Sequence, residues 1–222
     1  RDLHSFPTRR SSDLESELNE LANEHYKQNV CQCIRQWHYT EANRNSIDMM
    51  LAVNGIPVVA IELKNQLTGQ SVDDAMRPWE YNRNPKEYAF GFNKRVLAYF
   101  ACDLYNVYMT TQLNGAETVF LPFNQGSNGA GKDGGAGNPT TEDGKYVTSY
   151  FWENVLQKDK LLDILQKFIS YERSEKKKIM TDGSTKTTVS SKVIFPRYHQ
   201  LDVVRELVSH VRENGAGHNY LI

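Results

Sequence analysis

Two carboxylates and a lysine flank a turn signal in the first third of the chain. Asp48 precedes the dipeptide Asn54-Gly55, which is typical of tight hairpin turns because both residues tolerate positive φ. Glu62 and Lys64 follow the dipeptide. Paired carboxylates are hard oxygen ligands that suit Mg²⁺, and a nearby lysine can neutralise charge that develops on a phosphate. Together these residue types indicate metal-assisted hydrolysis of a phosphodiester.

Two predicted strands, residues 46–53 and 57–64, must position these side chains. Side chains alternate between the two faces of a strand, so Glu62 and Lys64 share one face of the second strand. The opposite, more apolar faces of the two strands belong together, which requires a three-residue loop or a bulge in the hairpin. With the three-residue loop, Asp48 lies directly opposite Glu62.

Glu62 has apolar neighbours, and a carboxylate that is buried without a partner is unfavourable. A metal ion is one such partner, and the backbone carbonyl of Leu63 is a further candidate ligand. The alternative is that Glu62 and Lys64 lie on a solvated edge and pair with neighbouring charges. The residues alone leave both interpretations open.

Length and composition are those of an ordinary globular protein. The chain has 222 residues, of which 39% are hydrophobic and 24% are charged. The net charge of -1 excludes a generally basic nucleic-acid binder but not a local basic groove. The sequence has no apolar run long enough to span a membrane. Three cysteines, Cys31, Cys33 and Cys102, predict a reducing, cytoplasmic compartment rather than a disulfide framework.

Mixed helical and strand periodicity predicts an α/β domain around the hairpin. Helical spacing covers residues 15–28, 158–171 and 199–213, and a shorter helix at 70–82 is interrupted by Pro78. Strand patterns cover residues 30–39, 96–101 and 106–113. A glycine-rich segment at 124–145 predicts a long loop, and the polar residues 173–190 predict a linker.

Both ends of the chain are predicted to be unnatural. Residues 1–14 contain the string HSFPTRRSSDL, which looks like the translation of a common sequencing adapter. We expect this segment to be a non-native artefact, and the alternative is a genuine disordered terminus. The chain also stops on an apolar run where a buried strand would begin. A fragment truncated at both ends is therefore expected.

The segment NSIDMMLAVNGIPVVAIELKN resembles the nuclease motif of the R (restriction/motor) subunit of type I restriction enzymes, within the PD-(D/E)xK superfamily. Three further stretches resemble the same family in the same order: DLYNVYMTTQLNG, LPFNQG…GAGNP and FPRYHQLDVVRELV. The resemblance covers residues 15–222. It implies an endonuclease domain at 15–172, with a restriction-endonuclease-like mixed sheet flanked by helices. A linker at 173–190 would follow. Residues 191–222 would then be the start of a superfamily-2 ATPase/translocase domain that is truncated before its phosphate loop.

The resemblance also implies roles for particular residues. The family's metal-binding acidic pair falls on Asp48 and Glu62, with Leu63 between the motif residues, and its catalytic lysine falls on Lys64. The implied metal is Mg²⁺. In the RYHQ segment, the glutamine that reads the adenine of ATP falls on Gln200. ATP would bind only to the full-length protein.

The helix after the lysine departs from the family pattern. Nucleases of this family often carry a glutamine-x-x-x-tyrosine motif there, whereas residues 77–82 of this chain contain no glutamine and only Tyr81 lies near the expected place. The DNA-positioning role of this helix is therefore in doubt. Lys94 and Arg95 are further candidates for DNA phosphate contacts, although an ordinary solvated turn would also explain them.

The expected function is Mg²⁺-dependent endonucleolytic cleavage of double-stranded DNA. It would operate inside an ATP-driven complex with specificity and methyltransferase subunits, away from any membrane. The fragment alone is expected to be weakly active or inactive. The alternative is a non-catalytic docking module that links the motor to those subunits. A third possibility, a homing or repair nuclease with the same motif, is disfavoured by the RYHQ segment.

Overall fold

A computed structural model describes residues 20–126, 136–141, 144–179 and 185–220. The segment predicted to be non-native, residues 1–14, lies outside the described residues. The described chain forms a six-stranded mixed sheet flanked by helices, together with a separate two-stranded ribbon. The predicted α/β architecture is therefore confirmed. None of the helices described is long and apolar enough to cross a membrane.

The elements follow one another along the chain in this order: α1 (Glu20–Lys27), β1 (Cys31–His38), β2 (Ser46–Val53), β3 (Ile56–Leu63), α2 (Val72–Arg77), β4 (Ala98–Cys102), β5 (Val107–Thr110), β6 (Leu121–Pro122), α3 (Lys158–Asp163), β7 (Ser170–Ile179), β8 (Thr185–Ile194) and α4 (Tyr198–Asn214). Short helical turns add Gln66–Thr68, Pro78–Asn82, Phe151–Val155 and Ile164–Phe168. As predicted, α2 ends where Pro78 begins a different, π-helical turn.

The large sheet has the strand order β1-β2-β3-β4-β5-β6, and only β3 and β4 run parallel. A hydrophobic core lies on each face. The first contains Ile61, Phe100 and Phe151, and the second contains Ala60 and Trp79. Both faces of β3 are thus buried, which explains its nearly continuous apolar sequence.

The hairpin between β2 and β3 sets the register of the central strands. Asn54 and Gly55 have φ values of 51° and 78° and form its turn. Next to the turn Ala52 pairs with Pro57, but Leu51 pairs with Val59. Val58 is therefore an extra residue in β3. Of the two solutions that the sequence left open, the hairpin uses the bulge.

The C-terminal part of the described chain contacts the large sheet. Tyr198 and Leu201 of α4 are buried in the first core, so this helix packs on the six-stranded sheet. The described residues do not show the start of a translocase domain. Much of the predicted linker at 173–190 belongs to the β7–β8 ribbon. That it joins two domains stays a prediction.

Asp103, directly after β4, fixes the end of the sheet against α2. Its buried carboxylate accepts hydrogen bonds from the backbone N–H groups of Val72 (2.8 Å), Tyr105 (2.8 Å) and Asn106 (2.7 Å), and from Nε2 of Gln66 (2.9 Å). All its acceptor capacity is used within the chain. Asp103 is therefore a structural residue rather than a candidate metal ligand.

We expect Asp103→Ala to lower the free energy of unfolding by about 3 kcal/mol or more, because several buried donors lose their acceptor together. Urea denaturation measures this loss. Asp73→Ala, which removes an exposed carboxylate from the first turn of α2, is the matched control and should lose less than about 1 kcal/mol. Equal losses in the two variants would contradict the structural role of Asp103.

Candidate active site

The register of β2 and β3 brings the two predicted carboxylates together. Met49 pairs with Ile61, so the next residues along, Asp48 and Glu62, oppose each other. Glu62 is only 3% exposed, and Asp48 is half-buried. The Oδ2 atom of Asp48 accepts a hydrogen bond of 2.8 Å from the backbone N–H of Leu63. Asp48 is thereby tied to the strand that carries the second carboxylate.

The surroundings of Glu62 disfavour its charged form, and a positive charge beside it counteracts this. Burial raises the pKa of Glu62 to about 7, and the nearby Asp48 carboxylate adds to the rise, whereas Arg83 opposes it. Two close carboxylates, one of them desolvated, repel each other unless a positive charge lies beside them. A pair of hard oxygen donors in this arrangement fits Mg²⁺.

The donor set is small. The part of the chain that the structure describes contains no group of three or more His, Cys, Asp or Glu side chains that could hold a metal. Asp48 and Glu62 would therefore supply the side-chain ligands, and water or backbone oxygens would complete the shell. The carbonyl of Leu63 stays a predicted ligand.

Lys64 lies immediately after β3 and extends the backbone hydrogen bonding between β3 and β4. Its backbone N–H donates to the carbonyl of Cys102 at 2.9 Å, and strand alternation puts its side chain on the same face as Glu62. The side chain is half-buried. Within the described ranges its ammonium group forms no ion pair, so the amine is not already neutralised by a neighbouring carboxylate.

Arg83 is the most prominent residue that the sequence did not single out. It is 8% exposed, and Nη2 donates to Oε1 of Glu62 at 2.6 Å and to the carbonyl of Ser46 at 2.6 Å. Its guanidinium group also lies over the ring of Tyr39, 5.4 Å from the centroid. Its Nε is buried and has no hydrogen-bond partner among the described residues. Arg83 therefore supplies a fixed positive charge beside the acidic pair.

Gln36 reaches the same site from the neighbouring strand β1. It lies opposite Asp48, where its backbone has a φ of 48°, a conformation that is uncommon for a residue other than glycine. Its Nε2 donates to Oδ1 of Asp48 at 3.1 Å, and its Oε1 accepts from the hydroxyl of Ser46 at 2.8 Å. A glutamine thus orients the acidic pair, although from a strand rather than from the helix after the lysine.

The predicted DNA contacts lie on the surface rather than at the acidic pair. Tyr81 is 66% exposed, and the side chain of Lys94 is exposed. The guanidinium group of Arg95 stacks on Tyr88, 4.1 Å from the ring centroid, and donates to its hydroxyl. Tyr81 and Lys94 are accessible to a ligand, whereas Arg95 is half-buried. The contacts of all three with DNA stay a prediction.

Gln200 lies in the first turn of α4. Its Oε1 accepts a hydrogen bond of 3.0 Å from the backbone N–H of Arg197 and so caps the helix. The reading of adenine by Gln200 stays a prediction.

Comparison with known proteins connects this geometry to one family. The family described as Type I restriction enzyme R protein N terminus matches residues 7–126. The match spans the six strands of the large sheet and includes Asp48, Glu62, Lys64 and Arg83. No curated protein and no solved structure matches the chain.

Proposed function

The chain belongs to the family of type I restriction enzyme R protein N-termini, and from this premise we propose that its large sheet is a Mg²⁺-dependent endonuclease domain for double-stranded DNA. The observation that carries the proposal is the register of β2 and β3. It places Asp48 opposite a buried Glu62, with Lys64 next along the same face. Oxygen ligands and a cationic side chain on one face are the groups that phosphodiester hydrolysis requires.

Each residue around the acidic pair has a separate role in the proposed hydrolysis. Asp48 and Glu62 hold the metal, which when bound supplies Lewis-acid activation of the phosphate and of a water. Leu63 N–H and Gln36 orient the Asp48 carboxylate, and Arg83 orients that of Glu62. The Lys64 ammonium group assists the attacking water or neutralises the charge that develops on the phosphate.

The wider assembly is part of the proposal. Specificity and methyltransferase subunits supply recognition of the DNA site, and ATP-driven translocation belongs to the complete R subunit. DNA phosphates are contacted by Tyr81, Lys94 and Arg95, and in the complete protein Gln200 contacts the adenine of ATP. Family membership supports the restriction system and DNA as partner.

One observation favours the second candidate, a non-catalytic docking module. Arg83 already neutralises Glu62 through an ion pair of 2.6 Å, so the acidic pair can persist without a metal. The helix after the lysine also lacks the family's glutamine motif, and its Trp79 is completely buried in the core. A domain that had lost catalysis would retain this packing.

Calorimetric titration of the 222-residue chain with Mg²⁺ or Mn²⁺ separates the two candidates. We expect one binding site in the wild type, no binding in Glu62→Ala, and strongly weakened binding in Asp48→Asn, which keeps the volume of the side chain. Glu206→Ala removes an exposed carboxylate from α4 and should bind as the wild type does. Circular dichroism establishes that each variant is folded. A folded wild-type chain that binds neither metal would exclude the nuclease and support the docking module.

A further inference from the structure

The short turn that follows β3 exposes a leucine to water. Among the large apolar side chains that the structure describes, that of Leu67 has the highest exposed fraction, 88%. Leu67 lies in the helical turn Gln66–Thr68, three residues after Lys64. Its neighbours Asn65 and Gly69 are exposed as well. The turn therefore presents one apolar side chain among polar or small residues.

Hydrogen bonds within the turn fix its conformation. The backbone N–H of Leu67 donates to Oδ1 of Asn65 at 2.9 Å, and the N–H of Thr68 donates to the carbonyl of Asn65 at 3.0 Å. At the end of the turn, Gly69 has a φ of 75°, which glycine adopts readily, and its N–H donates to the carbonyl of Gln66 at 2.9 Å. Leu67 is thus held in place although it belongs to neither hydrophobic core.

The end of β4 anchors this loop at three points. Before the turn, the backbone N–H of Lys64 donates to the carbonyl of Cys102 at 2.9 Å. Within the turn, Nε2 of Gln66 donates to the buried carboxylate of Asp103 at 2.9 Å. After the turn, the backbone N–H of Val72 donates to the same carboxylate at 2.8 Å. The exposed leucine is therefore carried by a loop that is tied to the sheet.

The turn lies close to the acidic pair. Three residues of chain place the Cα atom of Leu67 at most about 11 Å from that of Lys64, whose side chain shares a face with Glu62. The helix that follows the turn, α2, packs on the second core, on the same side of the sheet as Glu62. Neighbouring base pairs are about 3.4 Å apart. A duplex with a phosphate at Lys64 would therefore come close to Leu67 within about three base steps of that phosphate.

The chemistry of the loop favours DNA bases over a protein as the partner of Leu67. Residues 65–72 contain no acidic side chain that would repel phosphates. One leucine among polar neighbours is far smaller than the apolar centre of a specific protein interface, which buries on the order of 1,000 Å² or more. By contrast, proteins that kink DNA insert single apolar side chains, leucine among them, between adjacent base pairs.

We propose that Leu67 is a wedge that enters between two base pairs of double-stranded DNA near the phosphate that is hydrolysed. The inference rests on the proposed function, since it takes DNA as the substrate. Insertion partly unstacks one base step and kinks the duplex. The kink displaces the backbone from its regular path, so that a phosphate can approach Lys64 and Glu62. Leu67 thus positions the DNA, and the acidic pair and Lys64 carry out hydrolysis.

The test compares the affinity of the 222-residue chain for two labelled duplexes of about 30 base pairs, measured by fluorescence anisotropy. One duplex is fully paired, and the other has a central mismatch. Both carry, beside the central step, a fluorescent adenine analogue whose emission rises when it unstacks. EDTA is present throughout, so neither readout depends on the metal site.

The test variant is Leu67→Ala, and Leu67→Met keeps a flexible apolar side chain that can still act as a wedge. The matched control is Leu21→Ala. It truncates another exposed leucine, on α1, which packs on the first core on the opposite side of the sheet. Circular dichroism establishes that each variant is folded.

The wild type, Leu67→Met and Leu21→Ala should bind the mismatched duplex at least about tenfold more tightly than the paired one, because a mismatched step is easier to unstack. Emission of the adenine analogue should rise on binding. In Leu67→Ala the preference should fall below about twofold, and the emission should stay low.

Equal affinity of the wild type for both duplexes with low emission, or an unchanged preference in Leu67→Ala, would overturn the wedge alone. An equal loss of preference in Leu21→Ala would also overturn it. Leu67→Ala that binds both duplexes as the wild type does, but no longer assembles with the partner subunits, would assign the leucine to a protein interface instead. A wild-type chain that binds neither duplex would overturn both this inference and the choice of DNA as substrate.

Discussion

Lys64→Ala is expected to slow DNA cleavage by at least about a hundredfold and to leave metal binding nearly unchanged. Lys64 shares a face with Glu62, is half-buried, and forms no ion pair with any residue that the structure describes. Its amine is therefore available to a phosphate group. A cation that acts on charge developing in the transition state affects the rate of cleavage and not the affinity for the metal.

The measurement is linearisation of supercoiled plasmid by the R subunit that contains this domain, assembled with its partner subunits. Calorimetry with Mg²⁺ on the isolated chain follows in parallel. Lys94→Ala removes an exposed lysine away from the acidic pair and is the control, because a phosphate contact there should change affinity more than rate. Full cleavage by Lys64→Ala would show that Lys64 is an ordinary solvated residue at the edge of the sheet, with no part in cleavage. Loss of metal binding would instead indicate that Lys64 supports the fold of the site.

The central hairpin could be predicted because its signals are local. Asn54-Gly55 specifies the turn, and alternation along β3 specifies which side chains share a face with Glu62. The choice between a three-residue loop and a bulge could not be made from the sequence. Val58 and Val59 are both buried in the first core, which alternation alone does not produce. The bulge is settled by packing between strands.

The residues that surround the acidic pair could not be predicted, because their contacts are long-range. Arg83 lies in sequence among exposed basic residues, and its burial depends on how the chain leaves the turn at Pro78–Asn82. Gln36 belongs to a strand with no strong pattern of burial. Both reach the site because β1, β2 and β3 are adjacent in the sheet. Sequence reasoning therefore identified the charged pair but not the groups that hold it.

The sequence of the β7–β8 ribbon predicts a linker for a related reason. Strand prediction relies on apolar residues with period two, which mark the face that packs on a core. Over residues 171–177 both faces of the ribbon are exposed, so this signal is absent and only polarity remains. The buried positions at its end, Val193 and Phe195, directly precede α4 in sequence and so resemble the start of another domain.

A second large effect is expected from breaking the ion pair between Arg83 and Glu62. Arg83→Met should lower the free energy of unfolding by about 3–5 kcal/mol above neutral pH, where Glu62 would otherwise have to stay a buried carboxylate without its counter-charge. The Ser46 carbonyl also loses its 2.6 Å donor. The double variant Arg83→Met/Glu62→Met should recover most of this loss, since buried pairs replaced by apolar side chains of similar volume are often as stable as the original.

Urea denaturation of the wild type, both single variants and the double variant measures the coupling energy between the two residues. Repeating the denaturation series with Mg²⁺ tests whether the stability of these variants depends on a metal at the acidic pair. A cation held by Asp48 and Glu62 replaces the positive charge that Arg83→Met removes, so Mg²⁺ should stabilise this variant more than the wild type. The double variant lacks one carboxylate and should gain nothing. If the single and double variants are equally destabilised, with no response to Mg²⁺, then Arg83 acts by packing on Tyr39 rather than by its charge, and the acidic pair holds no metal.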